Sequence, residues 1–200
     1  MNQARIILAS QSPRRKELLA KHNIEFSVFV TDADETVTEK MTPRELVSEL
    51  SCRKAKSCAE VFLGDNVLII AADTVVALDD EIFGKPEDEE DARRMLKKLS
   101  GRAHSVFTGV TLASVKEKTV SYQKTVCETK VYFRPIPEEE ICEYINTKEP
   151  FDKAGSYAIQ GIASKFVEKI EGDFDNVVGL PVSAILDDLK AYAKEEGTSC

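Results

Sequence analysis

No apolar run in this chain approaches the roughly 18 residues that a membrane span needs, and the first ten residues hold no signal-peptide core followed by a cleavage site. The expectation is a cytoplasmic protein. Its five cysteines (Cys52, Cys58, Cys127, Cys142 and Cys200) are odd in number and include no C-x-x-C pair, which argues against a disulfide framework and a zinc knuckle. A net charge of -8 disfavours non-specific binding to nucleic acid. There is no G-x-x-x-x-G-K-[ST] loop, G-x-G-x-x-G turn, H-E-x-x-H or G-x-S-x-G, so P-loop, dinucleotide, zincin and hydrolase-elbow chemistries are unsupported.

What is present reads as one soluble domain or two lobes sharing a sheet: 200 residues, 42% hydrophobic and 31% charged. The stretch VLIIAA at 67–72 is short, apolar and β-branched, the pattern of a strand buried on both faces. It is expected to end at Asp73 and Thr74, where open α/β sheets place ligands; the plainer alternative is that Asp73 only starts a turn. RIILA at 5–9 and FSVFV at 26–30 read as further strands. Residues 75–78 and 81–83 read as a hairpin delivering Gly84-Lys85-Pro86 to a rigid turn in which Gly84 takes an unusual backbone angle. Strands are also expected from His104 to Leu112 and from Thr119 to Phe133, a β-meander added to the α/β core, and from Phe166 to Ile170. His104 has no partner at metal spacing and reads as structural.

Helices are expected after Ser12-Pro13, after the capping box Thr42-Pro43-Arg44-Glu45, after Asp88, after Pro137, and from Pro181 to Lys194. Residues 195–200 should fray. The first helix opens with Arg14, Arg15 and Lys16, against the helix dipole, so cations beside free N–H groups suggest a phosphate site; pairing with surface acids is the alternative. Lys54 sits in an otherwise apolar stripe, Leu46, Leu50, Cys58 and Phe62, and either snorkels outward or reaches an anion. Asp32, Asp34 and Glu35 crowd together as a solvated loop or a hard-cation site. The stretch DKAGSYAIQG at 152–161 reads as a loop that crosses the surface or closes over a site, and residues 172–179 as turns. Arg14, Arg15, Lys54 and Lys85 for phosphates beside Glu35 and Asp73 for a metal or a water meet the requirements of phosphoryl transfer.

The segments LASQSPRRKELL, AADTVV, GKP, LSGRAHSVFTGV, DKAGSYAIQG and GDFDNVVGLP, in that order, resemble the Maf family of nucleoside triphosphate pyrophosphatases. The resemblance implies a two-lobed mixed α/β fold, Maf/ITPase-like, with a nucleotide cleft between lobes. It also implies hydrolysis of a nucleoside triphosphate to monophosphate and pyrophosphate, a divalent cation (Mg²⁺ or Mn²⁺), and a homodimer without nucleic-acid or membrane partners. By the same resemblance Asp73 is the proton acceptor with Glu35, Lys54 and Lys85 beside it. Glu35 and Asp73 would hold the metal, and Ser10, Ser12, Arg14, Arg15, Lys54 and Lys85 the phosphates. Arg14, Thr74 and Gln160 resemble the dTTP/UTP subgroup, and modified pyrimidine nucleotides stay open as targets. The Gln160 amide offers one donor and one acceptor, which match O4 and N3–H of uracil or thymine. Ala158 departs from the subgroup's usual glycine, which matters if that residue needs a positive φ. The alternatives are a nucleotide-binding regulator of cell division without essential catalysis, and a generic phosphomonoesterase.

Overall fold

A computed structural model describes residues 5–197, so Cys200 lies outside the described residues. It is a mixed α/β structure. Among the described residues the strands are β1 (Arg5–Leu8), β2 (Ser27–Val28), β3 (Asn66–Leu78), β4 (Glu81–Phe83), β5 (Ala103–Lys116), β6 (Thr119–Phe133) and β7 (Val167–Glu171). The helices are α1 (Pro13–Lys21), α2 (Pro43–Val61), α3 (Glu89–Leu99), α4 (Glu138–Asn146), α5 (Phe174–Val178) and α6 (Leu186–Gly197). The strands pair in the order β2-β1-β3-β5-β6-β7, with β4 also on β3. β1 runs parallel to β2 and β3, whereas β3–β4 and β6–β7 are antiparallel. The expected hairpin and meander are both present.

Contacts divide the chain into two units. The first comprises Met1–Asp73, Thr108–Cys127 and Gly179–Cys200; the second comprises Thr74–Phe107 and Glu128–Val178. In the first, Thr42 and Glu45 cap α2 reciprocally, as the capping box predicts. The helix packs Ala55, Cys58, Ala59 and Phe62 against Ile69 and Ala113 of the sheet. The alternate residues Leu68, Ile70 and Ala72 are buried as well, so β3 has no solvent face. Gly109 of β5 allows the helix to come this close: a Cβ there would lie 2.3 Å from the carbonyl oxygen of Val47. The second unit packs α3 and α4 on a core that includes Val76, Phe83, Leu96, Phe133, Tyr144 and Phe166.

Several sequence expectations are corrected. β3 does not end at Asp73 and Thr74 but continues to Leu78, because 75–78 is as apolar as 67–72 and pairs with β4. The strand expected over 26–30 is only Ser27–Val28, since β1 offers it partners only at Ile7 and Leu8. Residues 174–178 form α5 rather than turns, with Asp173 accepting the N–H of Asp175 and the buried Asn176 donating to the carbonyl of Val106. A short 3-10 turn at Val182–Ala184 precedes α6, which therefore starts later than Pro181 suggests and runs on to Gly197. Gly84 needs no glycine geometry: it has no positive φ, and a Cβ there would meet nothing.

The stretch at 152–161 is not a surface loop. Gly155 (φ 67) and Ser156 (φ 64) turn the chain inward, and Tyr157, Ala158 and Ile159 are buried. Ala158 has no positive φ, so its departure from glycine leaves the backbone undisturbed. The Tyr157 hydroxyl lies 2.8 Å from His104 Nε2, and Phe133 packs edge-on to both rings. His104 is structural, as the sequence suggests.

Two predictions follow from this packing. Gly109→Ala should lower stability by about 3 kcal/mol, because helix backbone cannot yield as a side chain would, whereas Gly84→Ala should be nearly neutral in urea denaturation. Burial pushes the His104 pKa down from 6.5 to about 4. The unfolded chain therefore binds a proton that the folded chain refuses, and stability falls as pH drops from 6.5 toward 4. The stability of the wild type relative to His104→Phe should shrink across that window by up to about 3 kcal/mol.

Candidate active site

The first unit gathers most of the residues singled out in the sequence. Ser12 caps α1, its hydroxyl accepting the N–H of Arg15, and Pro13 occupies the first turn, where no acidic residue stands. The hydroxyl of Ser10 accepts the N–H of Ser12 at 3.2 Å and Nη1 of Arg15 at 3.1 Å. Nε of Arg15 donates to the carbonyl of Gly179 at 2.8 Å. Burial lowers the Arg15 pKa and its neighbour Arg14 adds to the effect, while the charges of Asp73 and Glu35 oppose it. The helix N-terminus thus carries hydroxyls, N–H groups and two adjacent guanidinium groups, an arrangement suited to an oxyanion.

The carboxylates meet at Lys54. Its Nζ is 2.6 Å from Oδ1 of Asp73 and 3.2 Å from Oε2 of Glu35. The side chains of Lys54 and Asp73 are only 18% and 12% exposed, while that of Glu35 is 57% exposed. Of the two sequence readings for Lys54, reaching an anion is the one observed, and snorkelling is not. The alternative that Asp73 only begins a turn fails too, because it sits within β3.

Glu35 and Asp73 supply hard oxygen donors that already face one cation, the ammonium of Lys54, and this donor chemistry fits Mg²⁺ or Mn²⁺. Among the described residues no group of three or more His, Cys, Asp and Glu side chains is gathered for a metal. Such an ion would complete its shell with water and substrate phosphates.

The other candidates belong to the second unit. Thr74 follows Asp73 on β3 and is half-buried. Lys85 is exposed between the buried Phe83 and Pro86. Gln160 is exposed at the end of the buried run 155–159.

Three contributors escape a reading of the sequence. The Gly179 carbonyl holds Arg15 through a contact 164 positions away. Glu149 accepts the Tyr144 hydroxyl and the N–H of Ile162, which fixes the chain just after Gln160. Arg53, beside Lys54, bonds the backbone around Glu35, and its spacing from Glu49 was the available signal. Arg15→Ala should destabilise the protein by about 2 kcal/mol through lost charged hydrogen bonds, whereas Lys85→Ala should stay within about 0.5 kcal/mol of wild type, both by urea denaturation.

A family model described as Maf-like protein matches residues 5–192. The dTTP/UTP pyrophosphatase of Thermoanaerobacter sp. (strain X514) is 47% identical over 186 residues, covering 93% of this chain and 95% of that protein. The protein of the same name from Clostridioides difficile (strain 630) is 47% identical over 189 residues, 94% of each chain. Among solved structures, a HAM1 protein from Coxiella burnetii gives a TM-score of 0.43 at 15% identity, over 67% of this chain and 75% of that one. With the family's model spanning nearly all the described residues, this chain belongs to the Maf family.

Proposed function

We propose that this chain is a nucleoside triphosphate pyrophosphatase that hydrolyses dTTP and UTP to the monophosphate and pyrophosphate. The observation that carries the reading is the pairing of Asp73 and Glu35 through Lys54, with Arg15 feeling both carboxylate charges, in a chain 47% identical to proteins named dTTP/UTP pyrophosphatase. Asp73 accepts the proton of the attacking water. Arg14, Arg15, Ser10, Ser12 and the N–H groups of α1 bind phosphate oxygens. Lys54 and Lys85 neutralise charge that develops on the transferring group. A divalent cation held by Glu35 and Asp73 would supply Lewis-acid polarisation of a phosphoryl oxygen.

Specificity is assigned to Arg14, Thr74 and Gln160. The Gln160 amide donates to O4 and accepts from N3–H of uracil or thymine, whereas cytosine presents the opposite pattern and requires the amide to turn over. Its tether to Glu149 through the following residues supports a fixed reader. The acidic charge of the chain supports a free nucleotide over a nucleic acid as substrate. No helix among the described residues is long and apolar enough to cross a membrane. The proposal includes a cytoplasmic location and a homodimer.

The test is a nucleotide panel with Mg²⁺ or Mn²⁺, scoring pyrophosphate against orthophosphate. UTP and dTTP should release pyrophosphate, with CTP at least about tenfold less efficient and purines poorer still. Asp73→Asn should lower kcat by roughly 10² to 10⁴ with nucleotide binding retained. Gln160→Glu should weaken UTP and dTTP hydrolysis and change the ranking of bases. Release of orthophosphate, or a preference for GTP, would contradict the proposal.

A further inference from the structure

Glu35 lies in a segment, residues 29–41, that has neither helix nor strand, and its side chain is more than half exposed. An exposed side chain on an irregular segment is only as well placed as the backbone that carries it, even with Lys54 at 3.2 Å from its carboxylate. That backbone is held by Arg53. Nη1 of Arg53 donates to the carbonyl of Thr36 at 2.7 Å and to the carbonyl of Asp34 at 3.3 Å, the residues on either side of Glu35. Nε of the same guanidinium bonds Oε1 of Glu49 at 2.8 Å, one turn earlier on α2. Oδ1 of Asp34 accepts the N–H of Thr36 at 2.9 Å and closes a tight turn around Glu35. Arg53 and Lys54 are consecutive on a rigid helix: the first grips the backbone flanking Glu35 and the second meets its carboxylate.

We infer that Arg53 is a positioning residue for Glu35, setting the distance between this carboxylate and Asp73 through the two carbonyls it binds. Arginine suits the task because its planar fork can bond Glu49 on one edge and two carbonyls at its tip, whereas a lysine ammonium is a point charge on a flexible stem. Arg53 touches no reacting group. Its effect travels through the placement of a cation ligand, so the inference rests on the reading of Glu35 as such a ligand.

The test is Mn²⁺ binding to the nucleotide-free protein, followed by the loss of the free-ion electron paramagnetic resonance signal. Wild type, Arg53→Ala, Arg53→Lys, Glu35→Gln and the double variant Arg53→Ala/Glu35→Gln are compared, with thermal denaturation alongside. Arg53→Ala should weaken Mn²⁺ binding about tenfold, the usual scale for a residue that orients a ligand, with little change in Tm. Arg53→Lys keeps the stem and the charge, so a loss of similar size there separates positioning from folding and from net charge. The double variant should be no worse than Glu35→Gln alone, because Arg53 acts only through Glu35. Wild-type affinity in both Arg53 variants, with Glu35→Gln impaired, overturns the inference about Arg53. Unimpaired binding by Glu35→Gln overturns instead the reading of Glu35 as a ligand, and no binding by the wild type overturns both.

Discussion

One ammonium shared by two carboxylates is the constraint on which this site depends. Asp73 is the sole ionisable residue of β3, in a strand with no solvent face, and an unpaired carboxylate there would be strongly unfavourable. Lys54 makes it tolerable, and Arg15 adds a second positive field. The same pairing sets demands on distant sequence. Lys54 can reach Asp73 because α2 lies close on the sheet, and α2 lies that close because residue 109 has no side chain. The helix must also begin where it does, which the reciprocal cap of Thr42 and Glu45 secures.

The N-terminus of α1 shows the complementary bias. A helix stabilised for its own sake would carry acids in its first turn, as α3 and α4 do with Glu89 to Asp91 and Glu138 to Glu140. α1 carries Arg14 and Arg15 instead, and Arg15 is held in place by Ser10 and the Gly179 carbonyl. Local stability is given up at a turn whose chemistry suits an oxyanion, the kind of rule-breaking that accompanies function.

Much of this was legible in the sequence where local chemistry and global fold agree. The caps at Ser12, Thr42 and Asp88, the β3–β4 hairpin and the helices after Asp88 and Pro137 follow from spacing and composition. The stretch at 152–161 misled because polarity and glycine suggest exposure, while two left-handed residues fold it into the core. The length of β3 is hidden because a carboxylate looks like a terminator; its partner Lys54 lies 19 positions earlier and cannot be matched from local sequence. Arg53 and the Gly179 carbonyl escaped because backbone carbonyls leave no mark in a sequence. Lys85 stands out in the sequence as a cation on a short turn, whereas the assignment of Thr74 and Gln160 to specificity comes from the motif resemblance.

The central claim is that Lys54 and Asp73 stabilise each other as a pair, and a double-mutant cycle reads it directly. Urea denaturation of Lys54→Met, Asp73→Asn and the double variant gives the coupling energy. If the pair is what the fold depends on, Lys54→Met alone should cost about 3 kcal/mol by stranding a buried charge, and the double variant should recover much of that loss. Strictly additive single effects would contradict the account.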